Sequence, residues 1–128
     1  RPVHALTEEE RESGRLERFE GLKVPYGTAL GLEKRGWERA EPGEAGSQEY
    51  MSLRVAADRY VVIDLDPGFS VGDPGATGDV QTVLYVRLAP EPGMFRWSRS
   101  AGHPFGELDP VTASEVVADL ALLREAAF

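Results

Sequence analysis

Apolar and polar positions alternate most clearly in the middle of the chain. Met51, Leu53 and Val55 fall on one side of a run from Tyr50 to Ala56, and Tyr60 to Leu65 follows as an almost unbroken β-branched and aromatic stretch. Only Ala57-Asp58-Arg59 separates them, so the two are expected to pair as a hairpin. Val80 to Ala89 is the longest strand-like run and is apolar on both faces, which predicts a central place in the sheet. After the turn Ala89-Pro90-Glu91-Pro92-Gly93, Met94 to Ser98 reads as a further antiparallel strand.

Helical spacing marks the two ends. Near the start, Thr7 and Glu10 match a capping box, but only Leu16 and Phe19 supply an apolar stripe. This predicts a lightly docked helix from Thr7 to about Glu20, stopped by Gly21 and preceded by a mobile arm over residues 1–6. At the other end, Val116, Leu120, Leu123 and Ala127 share one helical face, and Asp119 and Glu125 are expected away from it. Thr112 and Glu115 suggest a capping box there, with Val111 and Val116 placed as a hydrophobic staple.

Between Leu22 and Ala40, Gly27, Gly31 and Gly36 interrupt both periodicities. Leu22, Val24 and Tyr26 alternate as a strand that Pro25 confines to an edge. Thr28 to Arg35 then reads either as a short helix ended by Gly36 or as half of a hairpin leading into Trp37. Residues Glu41 to Ser47 have the composition of a surface loop. The sum is one α+β domain spanning 1–128: an antiparallel sheet of four to five strands, a C-terminal helix packed on one face and a lightly docked N-terminal helix.

Composition narrows the chemistry. The 128 residues contain no cysteine, which excludes disulfides, thiolate nucleophiles and cysteine-ligated zinc, and tilts the compartment towards the cytoplasm. A start at Arg1 is also compatible with removal of an export signal. No apolar run is long enough for a membrane-spanning helix, so no membrane insertion is expected. Twenty-two acidic and fourteen basic residues leave a net charge of −8, which repels nucleic acid and favours a basic protein partner.

The strongest local candidate for chemistry is the stretch from Asp64 to Asp79. Asp64 and Asp66 are two residues apart on a strand end, and Asp73 and Asp79 lie on a loop able to fold back and complete an oxygen cage for weakly held calcium or magnesium. The spacing is not that of an EF-hand, and Asp-Pro-Gly is also ordinary turn chemistry. His4 and His103 are the only histidines. Ser98, Ser100 and His103 lack the glycine-flanked serine of a nucleophile elbow, so no catalytic residue is assigned and no tightly bound cofactor is expected. Phe95-Arg96-Trp97-Ser98-Arg99 interleaves aromatic and basic residues in the manner of a contact surface, and tryptophan and arginine are common interface anchors.

Leu6-Thr7-Glu8-Glu9-Glu10 with Leu16-Glu17, Gly21-Leu22-Lys23-Val24-Pro25, Val62-Ile63-Asp64-Leu65-Asp66-Pro67-Gly68 and the closing helix together resemble parts of SUKH-type immunity domains, a bacterial family that binds and neutralises toxins. The tyrosine-centred helix of that family is interrupted here by Gly27 and Gly31, and its glycine-aspartate-rich turn before the central strands is missing. The resemblance implies a toxin-neutralising role.

The sequence therefore points first to a non-enzymatic acidic domain that binds a protein, as an inhibitor or immunity-type protein, with Glu41, Glu44, Glu49, Arg96 and Arg99 as contact residues and the three glutamates exposed. A small metal-dependent enzyme or ligand binder using Asp64, Asp66, Asp73 and Asp79 is the alternative from another class, and a structural or assembly subunit is a third.

Overall fold

The computed structural model describes residues 16–40, 49–66, 80–92 and 108–128. Five strands form one antiparallel sheet: β1 (Lys23–Pro25), β2 (Glu38–Ala40), β3 (Glu49–Ala56), β4 (Arg59–Leu65) and β5 (Val80–Ala89), in the order β1-β5-β4-β3-β2. Two 3₁₀ helices, η1 (Leu16–Phe19) and η2 (Ala29–Arg35), and one α-helix, α1 (Pro110–Ala126), complete the α+β arrangement expected from the sequence. Among the described residues no helix is long and apolar enough to cross a membrane.

The hairpin of β3 and β4 forms as its alternation requires, with Met51 opposite Ile63 and Leu53 opposite Val61. These side chains share the near face of the sheet with Leu65, Val83, Val86 and Leu88, and α1 lays Val116, Leu120 and Leu123 into the same core. β5 is interior, as its two-sided apolarity implies, but the middle position belongs to β4, because β1 pairs on the outer side of β5. Pro25 ends that edge strand, where its missing N–H disturbs no ladder. The strand expected over Met94 to Ser98 and the loop of Glu41 to Ser47 lie outside the described residues.

One irregularity shapes the sheet. Asp64 stands opposite Tyr85 and Leu65 opposite Val83, so Leu84 is an extra residue on β5, a β-bulge. Downstream of it Val86 and Leu88 face the core while Tyr85 and Arg87 face away; upstream, Val83 and Gln81 return to the core face.

Over Thr28 to Arg35 the helical alternative is the one observed. η2 buries Ala29 and Leu32, and Gly36 ends it with φ +94°, a left-handed conformation that favours glycine. The N–H of Gly36 returns to Glu33 O and that of Trp37 to Leu32 O, closing the helix and turning Trp37 into the core. Of the N-terminal helix expected from Thr7 to Glu20, the described part is the 3₁₀ turn η1, whose Leu16 and Phe19 are both buried against the sheet. Gly21, with φ +90°, follows it as expected, and its N–H donates to Val83 O.

The start of α1 corrects the sequence reading. The cap is Asp109, not Thr112: one carboxylate oxygen of Asp109 accepts the N–H groups of Val111 and Thr112, and Pro110 occupies the first helical position. The proposed staple residue Val111 is exposed because the helix begins before it. Hydrogen bonds from Thr112, through its hydroxyl and then its N–H, hold the Asp109 carboxyl below the usual aspartate range. The stability this cap provides is therefore present above the unfolded pKa of about 3.9 and is lost as pH falls through the lower folded value. Asp109→Ala is expected to lower the melting temperature at pH 7 and to speed amide exchange at Val111 and Thr112, whereas Glu115→Ala leaves both unchanged.

Candidate functional site

Three carboxylates are buried in the described structure, and each is held by named donors. Asp119, expected on the outer side of α1, is 5% exposed. Its Oδ2 accepts the Trp37 indole N–H at 2.7 Å, and its Oδ1 accepts Arg35 Nη1 at 3.2 Å. Trp37 is brought there by the close of η2 at Gly36, so the acid joins α1 to the turn between η2 and β2. A buried indole N–H needs an acceptor, and Asp119 supplies it.

Asp64 lies on the far face of β4 and is fully buried. Arg87, on β5 opposite Val62, grips it with Nε to Oδ2 at 3.0 Å and Nη2 to Oδ1 at 3.1 Å. Burial pushes the Asp64 carboxyl above the usual aspartate range, against the pull of the Arg87 hydrogen bonds and charge. Tyr50, Val62 and Ala89 form a small apolar cluster on this face, joined by Tyr60.

The third acid, Glu49, opens β3 and collects side chains from three other places in the fold. Its Oε1 accepts the Tyr26 hydroxyl at 3.2 Å and Arg39 Nη2 at 3.4 Å, and its Oε2 accepts the Gln81 amide at 2.9 Å. The strand pattern produces this convergence. Glu49 lies opposite Leu65, Gln81 opposite Val24 and Arg39 opposite Met51, all on the near face of the sheet, and Tyr26 follows β1 directly. Gln81 is buried, whereas Tyr26 is 43% exposed and the Arg39 side chain 44%. The Glu49 charge, and after it burial and the hydrogen bond, raise the Tyr26 phenol above its usual pKa, so Tyr26 stays a neutral donor. Glu49 thus fixes two solvent-facing side chains through one buried carboxylate.

The residues singled out in the sequence fall as follows. Glu49, expected to be an exposed loop acid, is 9% exposed, because β3 starts at it and turns its side chain inward among Tyr26, Arg39 and Gln81. Glu41, Glu44, Arg96, Arg99, Asp73 and Asp79 lie outside the described residues. Asp66 follows β4 and is half-buried, and both carboxylate oxygens of Asp64 are occupied by the guanidinium of Arg87. A cation at Asp64 would have to displace a bidentate arginine. Among the described residues no three His, Asp or Glu side chains come together as a metal site.

Tyr26, Arg39 and Gln81 carry no motif, and they were missed as partners of Glu49. Tyr26 had a signal as an aromatic on an edge strand beside Pro25, where a large side chain must find cover or a partner. Gln81 had another: a polar residue in an otherwise apolar strand needs a buried hydrogen-bonding group. Comparison of the chain with family models, with curated proteins and with solved structures found no match.

Proposed function

We propose that this domain is a non-enzymatic protein-binding module that meets its partner at the end of the sheet where Tyr26 and Arg39 stand on Glu49. The observation that carries the reading is that two half-exposed side chains of the types that anchor interfaces are tethered to a single buried carboxylate. Side chains already fixed before contact lose less rotamer freedom on binding, so such a pair is preorganised for a partner. An inhibitor or toxin-neutralising protein is the concrete form of this function, in keeping with the resemblance described above.

A basic partner is part of the proposal. It is supported by the net charge of −8 and by Glu41 and Glu44, which belong to the connection from β2 to β3 and so follow Arg39 and precede Glu49 in the chain. Glu49 is not one of the groups that would steer such a partner, because its charge is buried and paired.

The test uses a photo-crosslinking residue at Gly31, exposed on η2, or at Tyr26 to capture the partner in cells, followed by binding kinetics with the purified pair. Tyr26→Ala is expected to weaken binding by about thirtyfold or more, the effect of truncating a hot-spot residue of ≥ ~2 kcal/mol. The association rate is expected to fall as salt rises. A partner whose affinity is unchanged by both Tyr26→Ala and Arg39→Ala overturns the assigned surface, and salt-independent association overturns the basic partner.

A further inference from the structure

Two arginines stand against one phenylalanine on the described surface. The guanidinium carbon of Arg124 lies 4.8 Å from the centroid of the Phe19 ring, and that of Arg18 lies 5.6 Å from the same centroid. Arg124 Nη2 also donates to the backbone carbonyl of Arg18 at 3.1 Å, so the last turn of α1 and η1 are joined at this point. The ring is buried, while both arginines are exposed. Neither guanidinium has a carboxylate partner among the described residues.

We propose that Arg18 and Arg124, held on the Phe19 ring, form a docking point for a carboxylate-rich segment of a partner protein. Both guanidinium carbons lie within 5.6 Å of one centroid, so like charge is gathered around a single ring, which is unfavourable until an anion arrives. Placed over the ring, Arg18 keeps its N–H donors, and Arg124 those not given to the Arg18 carbonyl, for the two oxygens of a carboxylate. The negative end of the α1 dipole steadies Arg124 without neutralising it.

The same oxyanion chemistry would accept phosphate. A polyanion is disfavoured as its source, since a net charge of −8 repels a nucleic acid or an anionic membrane far more than it repels a short acidic segment. The site is built on η1 and α1, apart in sequence from Tyr26, Arg39 and Glu49, and the proposal does not rest on the function assigned to those residues.

Titration of the whole protein with acetylated hexaglutamate, followed through the arginine Nε–H signals and the Phe19 ring protons by NMR, tests it. The expected result is a saturable shift confined to Arg18, Arg124 and Phe19, weakened at least about tenfold in Arg18→Gln/Arg124→Gln and lessened by salt. Unchanged amide spectra elsewhere show that the variant is folded. In Arg18→Lys/Arg124→Lys, which keeps both charges, most of the binding is expected to be lost with the planar fork. Absence of a shift at millimolar peptide, or the same affinity in the glutamine variant, overturns the site. Equal binding by the lysine variant overturns the stacked-fork geometry. Inorganic phosphate, or vesicles of phosphatidylserine and phosphatidylcholine, binding more tightly than hexaglutamate in an Arg18- and Arg124-dependent way overturns the protein segment as the source of the anion.

Discussion

Arg87→Ala is expected to destabilise the fold by about 3–5 kcal/mol at pH 7, the range for leaving one member of a buried ion pair behind. Asp64 has no exposure, and both its oxygens are engaged by Arg87, so removing the guanidinium strands a carboxylate beneath the far face of the sheet. The effect should depend on pH in a defined direction. Burial holds the Asp64 carboxyl above its ordinary range, so the folded state binds this proton more tightly than the unfolded chain. The contribution of Asp64 to stability is then fully present below the unfolded pKa of about 3.9 and is lost as pH rises through the folded value. Without Arg87 the folded value climbs further, so the deficit of the variant relative to wild type is largest at neutral pH and shrinks as the solution is acidified. Urea denaturation at several pH values measures it. Asp64→Leu/Arg87→Met, which removes both charges, should regain most of the loss, as replacement of a buried pair by apolar side chains generally does. A deficit independent of pH would mean that Asp64 is not the group stranded.

Asp119→Ala should cost about 2–3 kcal/mol, because it leaves the indole N–H of Trp37 buried without an acceptor and removes a hydrogen bond to a charged group. The Arg35 bond adds little, since that side chain is 41% exposed and its pairing is screened by water. Two controls separate these contributions. Asp119→Asn retains an oxygen for the indole and should lose less than half as much, and Arg35→Ala should change stability only slightly. Trp37→Phe combined with Asp119→Ala should be less damaging than the sum of the single changes, because the group that was stranded is gone. Additive losses in denaturant would show that Asp119 acts through something other than Trp37.

These buried acids mark the limit of what the sequence reveals. The hairpin of β3 and β4 was legible because Met51, Leu53 and Val55 alternate beside a turn too short for any other connection, and Pro25 identified an edge strand because a missing N–H is tolerated only there. The cap of α1 was misread although its signal was present. Asp109 precedes Pro110, and a residue before proline prefers an extended backbone while proline suits the first helical position, so Asp-Pro was the stronger start than Thr112 with Glu115. Asp119 could not be placed from helical periodicity, which sorts residues by polarity, because its position was decided by Trp37, 82 residues earlier in the chain. Glu49 sits where a polar loop gives way to a strand and reads as exposed. Its burial follows from Gln81, 32 residues away, and Tyr26, 23 residues away, which only the register of the sheet brings to it. The candidate interface was therefore invisible as a unit, although each of its members was plain in the chain.

Leu84 makes the response of this sheet to changes in chain length one-sided. On its C-terminal side β5 aims Arg87 at Asp64 on the far face, and on its N-terminal side it aims Gln81 at Glu49 on the near face; the one extra residue lies between the two halves. Substitutions at many points along β5 would leave that arrangement intact. Loss of Leu84 would also keep it, because closing the bulge leaves Val83 opposite Leu65 in regular alternation with Gln81 still on the near face, whereas insertion of one further residue between 81 and 85 would carry Gln81 away from Glu49. Homologues of this chain should therefore differ freely in the residue at position 84, or lack it, without gaining residues between the glutamine and the arginine.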